Sequence, residues 1–272
     1  MTKPLKISVI LPTYNRKVQV IEAIWSVLEQ TAVERIGEII VVDDGSTDGT
    51  FQELRRLADS RASESPEIVV LLQENHGVSK ARNEGLKASR YPIVAFLDSD
   101  DTWLPTKIEA QMSEFDRNSE IDFLGCSVLG EELQVPFTKI KRLHRVTPLQ
   151  MQVKSFPVTP SIVMKRKIFE EIGGFDEGLK HYEDCDYWQR ICFSGYGVYH
   201  LQDGLVKLSD KMRFGESGLS ANLKSVHSDV VRTLKKHFVL GYFGVIRLAF
   251  LRIYYEIKHY RRIIIVKLKK SI

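Results

Sequence analysis

Asp98-Ser99-Asp100 sets two carboxylates one residue apart at the end of an apolar run. Held that close, they repel each other and are hard to desolvate, and a divalent cation resolves both problems. Hard oxygen donors, with phosphate and water completing the shell, suit Mg2+ or Mn2+. The same string would also make a solvated acidic loop, with Asp101 capping a helix that Pro105 opens. Asp43 and Asp44 end a second apolar run, where a carboxylate can accept an N–H from a base or a ribose hydroxyl. The Asp-Gly and Ser-Thr-Asp-Gly residues around them would equally explain them as an Asx-turn. Tyr14 closes a third run; its ring could stack on a base or simply pack at the surface. Asn75 to Gly85 puts a glycine before a helix bearing Lys80 and Arg82, which suits a diphosphate or an ordinary basic helix face. Glu183-Asp184-Cys185-Asp186 opens a helix that carries Trp188 and Arg190. An ionised carboxylate there can act as a general base, or it can be plain N-terminal helix charge.

The elements that would position these residues follow from apolar patterning. Strands are predicted over Lys6–Leu11, Glu38–Val42, Ile68–Leu72 and Ile93–Leu97. They alternate with helices over Val18–Gln30, Thr50–Ala58, Gly77–Ala88 and Pro105–Phe115. Such alternation means βαβ units and a largely parallel sheet, an α/β fold. In sheets of this kind ligands gather beyond the carboxyl ends of the strands. Three of the polar strings fall there, so one cleft should collect them. The second half reads less regularly: a strand over Ile121–Val128, variable loop and short strands over Glu131–Phe156, and a strand over Ser161–Met164. A short helix follows at Lys167–Ile172, a helix at Glu183–Phe193 and strands within Gly197–Leu208. The pattern is helical from about Ser220 onward.

Composition narrows the class. A chain that is 43% hydrophobic and 27% charged is neither disordered nor fibrous. Its three cysteines cannot form a disulfide framework and lack zinc-ligand spacing, and reduced thiols fit a cytoplasmic protein. The run Ile7 to Leu11 is too short for a signal peptide, and no stretch reaches the roughly 18 apolar residues of a spanning helix. Charge is uneven. From Phe238 to Ile272 there are eight cations and one acid, Glu256, a net of +7, which leaves −3 on the rest of a chain whose total is +4.

Taken in order, Ser8-Val-Ile-Leu-Pro-Thr-Tyr-Asn-Arg16, Val41-Val-Asp-Asp-Gly-Ser-Thr-Asp-Gly49, Asn75 to Gly85, Phe96-Leu-Asp-Ser-Asp-Asp101, Gly173-Gly-Phe-Asp176 and Glu183-Asp-Cys-Asp-Tyr-Trp-Gln-Arg190 resemble the motif series of glycosyltransferase family 2. The resemblance covers Lys6 to Leu208. It implies the GT-A fold, a Rossmann-like, mostly parallel sheet flanked by helices, in residues 1–215. Residues 216–272 would form a helical basic extension. It implies transfer of a sugar, with inversion, from a nucleotide-diphospho donor (a UDP-sugar first) to a glycan or lipid-linked acceptor in envelope polysaccharide or glycolipid synthesis. By the same resemblance Pro12, Tyr14, Asp43, Asp44, Lys80, Arg82, Asp98 and Ser99 would bind the nucleotide, with Asp44 the foremost reader of the base. Asp98 and Asp100 would hold Mn2+ or Mg2+. Asp184 would be the general base, with Glu183 beside it. Asp101, Trp188, Lys211 and Arg213 are candidates for the acceptor side or the diphosphate.

This chain departs from the family in two places. Many relatives carry a histidine after the final strands, where Lys207 to Ser217 has none. The Gln-x-x-Arg-Trp string of processive synthases is absent, which favours transfer of a single sugar. Pro12-Thr-Tyr-Asn15 takes the place of the Gly-rich basic loop of sugar-1-phosphate nucleotidyltransferases. A catalytically silent sugar-nucleotide binder would be expected to have lost its acidic pairs, and both are intact here. The basic tail, with apolar residues at helical spacing, reads as a membrane-interface element for an anionic surface. Packing on the catalytic domain or on a second subunit is the other reading. No basic–aromatic pattern of a nucleic-acid reader appears.

Overall fold

A computed structural model describes residues 5–133, 140–154, 157–209 and 222–270. Four strands, β1 (Ile7–Thr13), β2 (Ile36–Asp43), β3 (Glu67–Leu72) and β4 (Ile93–Phe96), lie parallel in the order β3-β2-β1-β4. Their near-continuous apolar sequences are those of strands covered on both faces. On one face Ile7, Val9 and Leu11 pack against Val20, Ile24 and Val27 of α1 (Lys17–Leu28) and Leu54 of α2 (Thr50–Ser60). On the other, Ile40 and Val42 meet Ala81 of α3 (Val78–Ala88), and Ile10 meets Leu86 of the same helix. Gly85 makes that approach possible, because a Cβ there would stand 2.5 Å from Ile10 Cγ2.

Beyond β4 the sheet becomes mixed. A two-residue strand β5 (Thr102–Trp103) precedes α4 (Lys107–Arg117) and β6 (Phe123–Val128). Then come β7 (Leu143–Arg145), α5 (Pro148–Val153), β8 (Val163–Lys165), α6 (Lys167–Ile172), α7 (Glu183–Phe193) and β9 (Val198–Lys207). Strand β8 lies antiparallel between β4 and β6, β6 runs parallel to β9, and β5 and β7 pair antiparallel with β9.

Helices α8 (Leu223–Val239) and α9 (Val245–Lys270) complete the described chain, and the predicted continuous helical end is broken at Gly241, with φ +76°. Among the described residues no helix is long and apolar enough to cross a membrane. Strand β5 has no counterpart in the sequence reading, and two further elements differ from it. Residues Thr159–Ser161 form a 3-10 turn, so the strand predicted from Ser161 begins at Val163. The stretch read as loop and short strands holds α5, whose Thr147 and Gln150 close a capping box.

Candidate active site

The strand ends bring the acidic strings together. Register sets Pro12 opposite Val42 and Thr13 opposite Asp43, and the Leu97 amide donates to Ile10 O at 3.0 Å as the chain leaves β4 for Asp98. The loops after β1 and β2 are tied to each other: the Asn15 amide donates to Ser46 Oγ and the Thr47 amide to Asn15 Oδ1, both at 2.8 Å. Asn15 takes φ +49°, a conformation asparagine tolerates. Tyr14 beside it is 45% exposed, so its ring is open to a ligand.

The two acids after β2 do different things. Asp44 is fully engaged: Oδ1 accepts from Gln73 Nε2 at 2.6 Å and from the His76 amide at 2.9 Å, and Oδ2 accepts from the Gly77 amide at 2.8 Å. Its carboxylate therefore clamps the loop that enters α3. Asp43 Oδ1 accepts from the Ser46 amide at 2.8 Å, while its buried Oδ2 and the buried Thr13 Oγ1 have no partner among the described residues. Orphaned buried oxygens of this kind call for a ligand or water.

Arg82 is the centre of the acidic group. Its Nη2 donates to Asp98 Oδ1 at 2.7 Å and its Nη1 to Glu183 Oε1 at 3.0 Å, with the guanidinium carbon 5.2 Å from the Phe175 ring centroid. Burial works against the charge on Arg82, but Asp98 and Glu183 outweigh it and hold the proton more firmly than usual. One buried side chain thus links the end of β4 to the start of α7, 101 residues apart in sequence for the Glu183 bond. Asp100 pairs with Arg16 at the mouth of α1.

Burial, then repulsion from Asp184, pushes Glu183 above the usual carboxylate range. Asp184 is also raised, chiefly by burial. Its Oδ1 accepts the Cys185 amide at 2.6 Å, and Asp98 adds repulsion. Glu183 is buried and held by Arg82, whereas Asp184 is half-buried. Tyr182, the residue before them, sits at φ +63°.

Other candidates fall elsewhere. Trp188 is fully buried among Phe96, Phe123, Phe175 and Tyr187, so it belongs to the aromatic core and not to an acceptor surface; every third or fourth residue of α7 must face that core. Asp101 is likewise buried, and it accepts the Ser209 amide at 2.9 Å, tying the acidic loop to the end of β9. Burial and then Asp98 push it up to about 7. Lys80 leaves Arg82's side of the helix for Glu84 and Glu177, at 3.4 and 3.7 Å. Ser99 is buried between the two metal-candidate acids. Lys211 and Arg213 lie outside the described residues.

Sequence reading overlooked Thr13, Arg16 and Gln73 as site residues. Only Arg16 carries a visible signal, a cation directly after the exposed Tyr14-Asn15 turn. It also overlooked Asn83, which holds the Gly173–Asp176 string: the Phe175 amide donates to Asn83 Oδ1 at 2.9 Å and Asn83 Nδ2 donates to Phe175 O at 3.0 Å.

Asp98 and Asp100 are each about a quarter exposed, 27% and 28% by side chain. Among the described residues no third acid, histidine or cysteine joins them in a metal-sized cluster. Two hard carboxylates are too few for a protein cage. They do fit a Mg2+- or Mn2+-type ion that takes its other ligands from phosphate and water.

Comparison with known proteins bears on this geometry. The family model "Glycosyl transferase family 2" matches residues 8–173. A Bacillus subtilis protein named "Putative teichuronic acid biosynthesis glycosyltransferase TuaG" is 40% identical over 134 residues, 48% of this chain and 50% of that one. The chain spans half to just under two thirds of the length of such curated relatives. Among solved structures, a fragment of TarS from S. aureus in complex with UDP-GlcNAc aligns with TM-score 0.65 and 22% identity, over 85% of this chain and 66% of that one. The mannosyltransferase PcManGT from Pyrobaculum calidifontis, in complex with GDP-Man and Mn2+, aligns with TM-score 0.66 and 21% identity, over 87% and 65%. The sheet order, the strand-end acids and these matches agree: the chain belongs to glycosyltransferase family 2 and has the GT-A fold.

Proposed function

We propose that this chain is an active glycosyltransferase that moves one sugar, with inversion, from a nucleotide-diphospho donor, a UDP-sugar first, to a hydroxyl of a glycan or lipid-linked acceptor. The observation that carries the reading is the Arg82 bridge, which gathers the donor-side acid Asp98 and the Glu183-Asp184 pair into one cluster. TarS with UDP-GlcNAc and PcManGT with GDP-Man and Mn2+ support a nucleotide-sugar donor, and TuaG's name supports an envelope glycan acceptor.

In this reading Tyr14 stacks on the base. Asp43, with its orphaned Oδ2, accepts the base N–H, taking the part expected first of Asp44, whose oxygens are already occupied. Asp98 and Asp100 face the diphosphate. A divalent cation held between them would neutralise the charge that builds on the leaving group. Asp184 takes the proton from the acceptor hydroxyl as its oxygen attacks the anomeric carbon. The sugar–phosphate bond breaks on the opposite side, so one displacement inverts the centre. A raised pKa suits this work, because it makes the carboxylate a stronger base. Glu183 is held by Arg82 and positions its neighbour.

Asp184→Asn tests the assignment. Transfer or slow hydrolysis of a panel of UDP-sugars, with Mn2+ present, should fall by roughly 10²–10⁴-fold. UDP affinity, measured by calorimetry, should stay within a few-fold. If UDP affinity collapses while residual turnover persists, Asp184 is not the base.

A further inference from the structure

Helix α9 presents to solvent the residues an ordinary surface helix would bury. One face is anchored. Leu251 and Tyr255 pack against Val230 and Leu234 of α8, and Tyr254 Oη donates to Val153 O at 2.9 Å. Tyr255 also hydrogen-bonds Tyr182 through its hydroxyl at 2.7 Å and donates to Gln152 O. The opposite face carries Ile246, Phe250, Ile253, Ile257, Tyr260 and Ile264, each 56% to 85% exposed. Their alternating spacing of four and three residues keeps them in one line, about 27 Å long at the helical rise. From Val245 to Lys267 the exposed side chains are apolar or aromatic except two, and those two, Arg261 and Lys267, are cations. At 100° per residue they flank the stripe, one on each side.

We propose that α9 is a lipid-docking helix, which lays this stripe into the headgroup boundary of an anionic bilayer with Arg261 and Lys267 on the lipid phosphates. An apolar face bordered by cations matches a surface that is apolar inside and negatively charged at its rim. Charge disfavours a second copy of the chain as the occupant. Pairing two such stripes would bring cations against cations, and the helix's single acid, Glu256, already bonds His227 Nε2 at 3.1 Å. Because the anchored face joins Tyr182, next to Glu183, docking would hold the proposed base near the membrane surface. The docking inference itself stands on α9 alone and does not depend on the sugar-transfer reading.

The full chain is sedimented with vesicles of phosphatidylcholine alone, or of three parts phosphatidylcholine to one part phosphatidylglycerol. It should pellet with the anionic vesicles and stay in the supernatant with the neutral ones. Ile253→Glu/Ile257→Glu and Arg261→Glu/Lys267→Glu should each lower the apparent affinity by roughly thirtyfold or more, since each Lys or Arg near such a surface contributes about a fivefold factor. UDP binding with Mn2+ on the same samples should be unchanged, which separates lost docking from lost folding or a misread active site. The charge-reversed pair alters two exposed side chains and keeps the test open if the isoleucine pair misfolds. Failure to pellet with anionic vesicles, or equal binding to neutral ones, overturns the proposal. So does a dimer in sedimentation velocity that Ile253→Glu/Ile257→Glu dissolves while lipid has no effect.

Discussion

Replacing Arg82 by glutamine removes the shared counter-ion of Asp98 and Glu183 while keeping a polar side chain. The Arg82 side chain is 5% exposed, Glu183 10% and Asp98 27%, so Glu183 loses its partner in a dry environment and Asp98 in a wetter one. Breaking a buried pair from one side is destabilising by about 3–5 kcal/mol, and the partial exposure of Asp98 favours the lower end, about 3 kcal/mol. The deficit should depend on pH with a definite sign. Glu183 is already raised above its unfolded value by burial and Asp184, and Arg82 is what pulls it back down. Without Arg82 its folded pKa climbs further, so the folded state holds a proton that the unfolded state has released. Stability is then lost progressively as pH rises above the ordinary glutamate value of about 4.3. Wild-type Glu183 already stands at about 7, so in urea unfolding the gap between wild type and Arg82→Gln should stay nearly constant up to about pH 7 and widen above it. Adding Glu183→Gln should recover on the order of 1–2 kcal/mol, because a neutral amide needs no counter-ion. A deficit below about 1 kcal/mol, or one that does not change with pH, would refute the view of Arg82 as the charge that holds this cluster.

Lys107 is fully buried, 4.0 Å from the Trp103 ring centroid, and its Nζ has no hydrogen-bond partner among the described residues. Burial lowers it to about 8, so stability should rise as pH increases from about 8 towards its unfolded value near 10.4. Lys107→Met should stabilise the chain at pH 7 by on the order of 2 kcal/mol in urea unfolding, and a loss would mean that the cation–π contact outweighs desolvation. Gly174→Ala should lower the melting temperature, because its Cβ would stand 2.2 Å from Asn83 Oδ1, with a strain of about 1–3 kcal/mol. Burial opposes the charge on Asp186, but His237, Arg190 and Lys236 hold it ionised and well below the usual carboxylate range. Asp186→Asn should therefore be destabilising by about 3 kcal/mol at pH 7, with the gap closing as the pH falls below about 3.9 and the unfolded wild-type group takes up a proton. An unchanged acid-unfolding midpoint would contradict that.

The donor half was legible because its signals are local. Four strands of branched residues, three of them followed by polar strings, place their ends on one sheet edge whatever happens downstream. Legibility failed where a side chain's partner is distant. No spacing rule says that Asp44 rather than Asp43 is consumed by Gln73, His76 and Gly77, since those donors arrive from the loop after β3. The acids of α7 looked alike as helix-start charge, yet Glu183 meets Arg82, Asp184 its own helix amide, and Asp186 the cations of α8. Trp188 looked like a site residue because it lies among acids, although the helical period points it at Phe96 and Phe123. Strand β5 is two residues long and has no periodicity to read, and it exists because Thr102 and Trp103 meet Lys207 and Val206. Helix α5 could have been found from Thr147-Pro148 with Gln150, a helix-start pattern hidden in a stretch taken for loop.

The match to the family ends at residue 173, before the Glu183-Asp184 pair. Beyond that point the start of α7 is tied to the C-terminal helices. Asp186 is bonded to Lys236 and His237 of α8, each at 3.0 Å, Tyr182 meets Tyr255 of α9, and the His181 amide donates to Asp229 Oδ2 of α8 at 2.9 Å. The chain on either side of the proposed base is thus braced by α8 and α9. Tyr182 holds a left-handed backbone that a residue with a side chain adopts only when its surroundings impose it. The donor side rests on the sheet, while the base side rests on helices that the family resemblance does not reach. Differences among relatives in those helices would therefore move the base and the acceptor it serves while leaving the nucleotide end of the cleft in place.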